Sequence, residues 1–334
     1  MVEATPSPWL VPIVDLEPLR GGDALAKRLV ANALGRAFED TGFVIITGHG
    51  IDESLIASTY AAAKEFFAQP LVEKMCAALP RGVHDRGYLP IGVESVAGTL
   101  GARAPMDWCE ALVFRSLHQE QQQLPEADGG WRNRWPERPA ALSDLVRRYV
   151  AAAEGLAATL YSLAALALDL PESYFTPYFS GHANTLRLVN YPDQPDEPEA
   201  GQLRYGAHHD YGGLTVLRAD AAPGGLQIFG QDGAWHDVPL VPGGFIVNIG
   251  ELVERWTNGR WRSTLHRVVN PAREFNGSTQ RLSIVFFSGP DANTEITCLP
   301  SCCDAARPAR FGPVTAGDFV RAKLNRSIVH AERV

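Results

Sequence analysis

Residues 206–217 read GAHHDYGGLTVL. Alternating polar and apolar residues run into a β-branched stretch, a pattern that favours extended backbone. On extended backbone, side chains two apart share a face, so His208 and Asp210 point to one side and His209 to the other. One imidazole and one carboxylate placed this way can converge on one cation. A third ligand has to come from elsewhere, and His266 in STLHRVV (263–269) stands in a second β-rich segment. Two histidines and one carboxylate on one face of an ion leave the opposite face open. That arrangement suits ferrous iron when O₂ and a co-substrate must both bind it. A lone His-x-Asp occurs by chance in many chains, so its surroundings decide the matter.

Working outward, short β-rich segments alternate with Gly, Pro and Asn turns from residue 185 onward: 185–191, 214–217, 225–229, 235–238, 245–249, 264–269 and 282–287. Many short strands with regular turn signals imply a sandwich or barrel. Asn258-Gly259 is the strongest short hairpin signal in the chain. The first third reads mixed. A short apolar stretch at 12–16 and a buried one at 43–46 are expected strands, and helical stripes cover 23–40 and 53–67. Residues 80–105 are rich in Gly and Pro and read as loop, and 118–140 as a polar connection. A long helix is expected from 141 to 168, stopping before Pro171, and helical character returns at 316–325. The expected organisation is one structural unit: an N-terminal helical and substrate-side region (1–120), a connection and long helix (121–180), a β-core (181–290) and a C-terminal extension (291–334).

Composition narrows the function. The chain has 334 residues, 46% hydrophobic and 20% charged, with a formal net charge of −8. An acidic chain with no Lys/Arg run is ill-suited to phosphate neutralisation, so no nucleic-acid partner is expected. No membrane partner is expected either, because the longest apolar stretch (156–170) is interrupted by Tyr161, Ser162 and Asp169 and reads as a buried helix. The start, MVEATPSPWLVPIVDL, lacks the basic and long apolar regions of a secretory signal. The five cysteines include no Cys-x-x-Cys pair, which fits a reduced, cytoplasmic protein. Oligomeric state cannot be read from the sequence.

Further stretches carry a family likeness. GFVIITGHGI (42–51), RGYLPIGVES (86–95), DWCEAL (107–112), LRLVNYP (186–192), AHHDYGGLTVL (207–217), GGLQIF (224–229), GGFIVNIGELVERWTNGRWRSTLHRVV (243–269) and QRLSIVFFSGP (280–290) follow one another in order. Together they resemble the 2-oxoglutarate-dependent iron(II) oxygenases of the isopenicillin N synthase-like group. The resemblance implies a mainly β fold with helices: a double-stranded β-helix (jelly roll) core flanked by N-terminal and central α-helices. It implies Fe(II) held by His208, Asp210 and His266, with 2-oxoglutarate and O₂ as co-substrates. It implies that Arg281 and Ser283, an Arg-x-Ser on one strand face, clamp the far carboxylate of 2-oxoglutarate with help from Tyr191. Arg187 and Arg267 are further candidates for positive charge. By family position, Arg86, Tyr88, Asp107 and Trp108 lie on the substrate side. The implied reaction is hydroxylation of a small molecule with release of succinate and CO₂. Desaturation, cyclisation or ring expansion on the same cofactors remains an alternative, as does an iron oxidase that needs no 2-oxoglutarate. The chain departs from the family at Val189, where Asn is usual, at Asn190, where Tyr is usual, and at His209, often Thr.

Overall fold

The computed structural model describes residues 11–79, 86–101, 104–118, 132–181, 183–194 and 196–331, without the side chains of 327–331. Most of the polar connection expected over 118–140 lies outside those residues. The described strands are β1 (Ile13–Asp15), β2 (Phe43–Thr47), β3 (Gly87–Leu89), β4 (Glu110–Arg115), β5 (Thr185–Tyr191), β6 (Tyr205–His208), β7 (Leu214–Ala219), β8 (Leu226–Phe229), β9 (Trp235–Asp237), β10 (Phe245–Ile249), β11 (His266–Val268), β12 (Arg281–Ser288), β13 (Glu295–Ile296) and β14 (Val314–Thr315). The helices are α1 (Ala24–Asp40), α2 (Glu53–Phe67), α3 (Leu71–Lys74), α4 (Leu142–Ala167), α5 (Glu251–Trp256) and α6 (Ala316–Ala331).

Eight strands form a major sheet in the order β1-β2-β10-β7-β12-β5-β4-β3, and four form a minor sheet in the order β6-β11-β8-β9. Period-two alternation gives the major sheet two different faces. Leu186 and Leu188 of β5, Val216 of β7, Val247 of β10 and Ile284 and Phe286 of β12 face the helices and join one apolar cluster. Phe43, Ile45, Val189, Tyr191 and Ile246 face the other way. They pack with Leu226, Ile228 and Val268 of the minor sheet in a second cluster. The two facing sheets make the jelly roll, and the site lies between them. Each fully buried Leu, Ile or Phe contributes about 1.5–3 kcal/mol, so both clusters hold the major sheet firmly against its neighbours.

Local signals set the helices. Asp23 caps α1 by accepting from the amides of Leu25 and Ala26, and Asp52 caps α2 through Ser54. After α1 the chain turns sharply at Gly42, whose φ is +71°. A Cβ there would sit 2.2 Å from the Arg262 carbonyl oxygen, so only glycine fits. The 26-residue α4 is long and apolar enough to cross a bilayer by length and composition. Its apolar stripe, Leu142, Val146, Tyr149, Ala153, Leu156, Leu160 and Leu163, is instead buried as the central core helix.

Two expectations need correction. Asn258-Gly259 is no hairpin turn: both residues follow α5 with φ of 55° and 76°. They end that helix in left-handed backbone, which Asn and Gly tolerate as well as they tolerate a type I′ turn. The span 80–105, read as loop, contributes edge strand β3, and β4 follows it at 110–115. That strand was missed because EALVFR reads equally well as helix.

On the helix-facing side of β4 sits a buried charge cluster. Glu110 accepts from Lys74 Nζ (2.7 Å), Tyr88 Oη (2.5 Å) and Asn190 Nδ2 (2.8 Å). Removing one member of a buried pair leaves the other charge unsolvated, at about 3–5 kcal/mol. Glu110→Ala should therefore destabilise the fold by that amount in urea unfolding, while Glu110→Gln, which keeps the acceptor oxygen, should cost less.

Candidate metal centre

His208 ends β6 and His266 begins β11, and the two residues are directly opposed in the antiparallel register. Opposed residues share a face, so both imidazoles enter the space between the sheets, with ring centroids 4.2 Å apart. His208 Nδ1 lies 2.9 Å from the Gly206 carbonyl, and His266 Nδ1 lies 3.0 Å from that of Thr264. A carbonyl oxygen can only accept, so each Nδ1 carries the proton and each Nε2 presents its lone pair. Burial, helped by the neighbouring His208, pushes the pKa of His266 down to about 4, keeping it neutral and able to ligate.

Asp210 follows the end of β6 and turns back to the same place. Its Oδ1 lies 3.5 Å from His208 Nε2 and 3.7 Å from His266 Nε2. The three ligand atoms fall within 4.8 Å of one another, and all three residues are buried. Asp210 Oδ2 is occupied elsewhere, accepting from Thr215 Oγ1 and Asn248 Nδ2, each at 2.6 Å. One oxygen is thus tied to the sheet and the other is aimed at the imidazoles. Burial alone would favour the neutral acid, but as pH falls His266 takes up a proton first, and its charge together with the Thr215 hydroxyl holds Asp210 well below the usual carboxylate range. The Asp210 carbonyl also accepts from the amide of Glu251 at 2.8 Å, bracing this turn on the start of α5. Two neutral nitrogens and one carboxylate oxygen fit a divalent ion with an open face.

Beside this centre, the register sets Arg281 of β12 opposite Tyr191 of β5. Both are buried, as is Ser283, on the same face two residues further along. Arg281 Nη1 donates to three carbonyls of the 220–224 turn, those of Asp220, Ala222 and Gly224, at 3.1–3.3 Å. Its Nε is buried with no partner. The guanidinium is therefore anchored by its Nη1 corner, and its buried Nε is a donor still able to meet an anion. Burial raises the Tyr191 phenol above its ordinary pKa, so it stays protonated. Arginine edge, serine hydroxyl and phenol are all donors, a set that fits a carboxylate.

The remaining expected residues separate. Asp107 is buried and accepts from the amides of Val96 (2.9 Å) and Gly206 (2.8 Å). Burial pushes its pKa up to about 7 against those two bonds. Its contact is with the strand whose Gly206 carbonyl orients His208. The Trp108 amide donates to the Leu203 carbonyl at 2.9 Å, and its indole nitrogen is buried without a partner. Arg86 Nε donates to the Arg132 carbonyl at 3.2 Å. Tyr88 lies on the opposite, helix-facing side of the sheet, held by Glu110, because strand alternation turns it away from the metal side. Asn190 turns outward in the same way, so its departure from the family pattern touches the Glu110 cluster, while Val189 faces inward. His209 points away from the centre, with Nδ1 2.7 Å from the Ser263 carbonyl. It lines a surface cavity of about 330 Å³ that none of the three ligands reaches. Arg267 stacks on Trp235 at 3.9 Å, outside the barrel. Arg187 faces inward and pairs with Glu94 at 2.6 Å. Sequence reasoning missed Thr215 and Asn248; their signal is a polar residue at an inward position of a strongly apolar strand.

Comparison with known proteins agrees with this geometry. Residues 11–138 match the family model described as the N-terminal region of non-haem dioxygenase in morphine synthesis. Residues 183–290 match the 2OG-Fe(II) oxygenase superfamily. A 2-oxoglutarate-Fe(II) type oxidoreductase of Emericella nidulans is 32% identical, over 98% of this chain and 93% of its own. A validamycin A dioxygenase of Streptomyces hygroscopicus subsp. limoneus is 30% identical, over 94% of this chain and 85% of its own. The crystal structure of a full-length Neurospora crassa protein in complex with alpha-KG superposes with a TM-score of 0.82 at 26% identity, covering 94% of this chain and 96% of that one. The chain belongs to the 2OG-Fe(II) oxygenase superfamily, and its cofactors are Fe(II), 2-oxoglutarate and O₂.

Groups that orient metal ligands typically change metal affinity 10–100-fold when removed. Asn248→Leu and Thr215→Val should each weaken Fe(II) binding by roughly that factor without displacing the strands. Anaerobic metal titration with circular dichroism as the fold control tests this, and unchanged affinity in both variants would refute the role assigned to Asp210 Oδ2.

Proposed function

We propose that this enzyme hydroxylates a polar small molecule, with Fe(II) on His208 Nε2, Asp210 Oδ1 and His266 Nε2, and with 2-oxoglutarate anchored by Arg281, Ser283 and Tyr191. The observation that carries the assignment is the convergence of three buried ligand atoms whose other polar atoms are all engaged. When bound, iron and 2-oxoglutarate would supply O₂ activation coupled to oxidative decarboxylation, giving succinate and CO₂. The chain's own residues bind, orient and exclude water. Asp210 supplies one negative charge, enough to hold a dication without quenching it. Arg281, Ser283 and Tyr191 would hold the distal carboxylate of the keto acid and so restrict how it can lie in the site.

For the substrate side we favour the region beyond Tyr205, whose ring lies edge-on to His208 at 4.9 Å. There Arg187 donates to Tyr205 Oη at 3.4 Å and pairs with Glu94. On the far side of Asp210, Lys323 of α6 pairs with Glu251 at 2.6 Å and lies 5.8 Å from the Tyr211 ring. Charged and phenolic groups around the centre support a polar substrate. The five free cysteines support a reducing compartment.

Asp210→Ala should abolish Fe(II) retention and succinate formation together. Arg281→Met should retain iron yet raise the Kd for 2-oxoglutarate by at least about tenfold, the worth of a lost charge-assisted pair. Anaerobic binding isotherms followed by a succinate assay measure both. Wild-type affinity in Arg281→Met would refute the clamp.

A further inference from the structure

Arg204 is fully buried at 0% exposure, in a chain that carries a net charge of −8. Its Nη1 donates to the Pro223 carbonyl at 2.8 Å and its Nη2 to the Thr279 carbonyl at 2.5 Å. Arg281 is pinned to the same 220–224 turn, through the carbonyls of Asp220, Ala222 and Gly224. Pro223 and Gly224 are adjacent, so a single turn holds both guanidinium groups side by side. The Nε atoms of both are buried and unpartnered. Among the described residues, neither arginine has a carboxylate within ion-pair distance. Asp193 accepts from Ser278 and Thr279. Asp220 accepts from the amide of Leu282 and pairs with Lys64 at 3.3 Å, both through Oδ2, while its buried Oδ1 has no partner.

Two adjacent buried cations repel each other, and each has given up its hydration. Neutral carbonyls replace part of that hydration but none of the counter-charge. The arrangement is unfavourable unless an anion completes it. Burial, and then the neighbouring Arg281, pull the Arg204 pKa below its ordinary value, as expected of a cation that lacks its counter-ion. Resting on the co-substrate assignment above, we infer that Arg204 is a second cationic determinant of 2-oxoglutarate binding. It is a positioning residue: it holds the turn that fixes Arg281 and adds positive potential where the distal carboxylate lies. Gly224, whose φ is +76°, supports the placement, because a Cβ there would lie 3.0 Å from Arg204 Nη1 and 2.8 Å from the Val269 carbonyl.

The test compares two ligands on the anaerobic Fe(II) protein by calorimetry: 2-oxoglutarate, and 2-oxopentanoate, which keeps the keto-acid head but lacks the distal carboxylate. Arg204→Met should raise the Kd for 2-oxoglutarate at least tenfold and leave that for 2-oxopentanoate within twofold. Arg204→Lys, which keeps the charge, should recover most of the loss. Wild-type affinity for 2-oxoglutarate in Arg204→Met would overturn the inference. So would an equal loss for both ligands, since a merely structural role disturbs the site without regard to the distal charge. If Arg204→Met fails to fold, Arg204→Gln, which keeps donors for the carbonyls, carries the same comparison. Wild-type protein that binds 2-oxoglutarate no better than 2-oxopentanoate would instead refute the co-substrate site itself.

Discussion

The opposed pairing of His208 and His266 is the constraint on which the centre depends. Strand register has a period of two, so a slip of one residue would turn one imidazole out of the barrel and bring Ala207 or Arg267 in. Adjacent carbonyls set the tautomers, but they act only because the register first brings the rings together. Gly206 shows how closely this is specified. Its amide is held by Asp107 and its carbonyl orients His208, so a buried carboxylate from the substrate-side segment fixes a ligand it does not touch.

The carboxylate ligand poses a different physical problem. A buried anion is costly without partners, and before metal binds Asp210 has only dipoles and neutral imidazoles around it. Thr215 and Asn248 come from neighbouring strands of the major sheet, β7 and β10. They stabilise the ionised form and freeze the rotamer at once. The minor sheet thus supplies the two nitrogens, while the major sheet steers the oxygen. The centre exists only where the two sheets face each other, which is why ligands so far apart in sequence need the whole jelly roll to assemble.

Much of this was legible in the sequence, for identifiable reasons. Arg281 and Ser283 stand two apart on β12, where period two alone puts them on one face; His208 ends β6 with Asp210 just beyond it, and only the pairing of β6 with β11 brings His266 to the same place. The β-segments at 185–191 and 245–249 have the observed bounds, because β-branched runs between turn residues are unambiguous. Other features depend on pairing rather than on local pattern. Tyr88 has the right neighbours in sequence but falls on the helix-facing side of β3. Asn258-Gly259 supplies left-handed backbone, and only the preceding short helix decides whether that backbone ends a helix or turns a hairpin. Arg204 carries no local mark at all. Its significance appears once the 220–224 turn brings it beside Arg281, far along the chain.

A net-negative protein that takes up a dianion cannot rely on its surface. At physiological salt, charges more than about 8 Å apart across solvent are largely screened, and acids outnumber bases in this chain. Attraction must come from cations placed where water and salt do not reach. Such cations are expensive to bury, so they are few, and they have to be held by groups that do not neutralise them. Backbone carbonyls meet that requirement, since they satisfy N–H donors without cancelling the charge. The carbonyls of Asp220, Ala222 and Gly224 do this for Arg281, and those of Pro223 and Thr279 for Arg204. Under the assignment proposed above, the turn is as much a part of the co-substrate site as the side chains are, although no side chain of its own is required to touch the ligand.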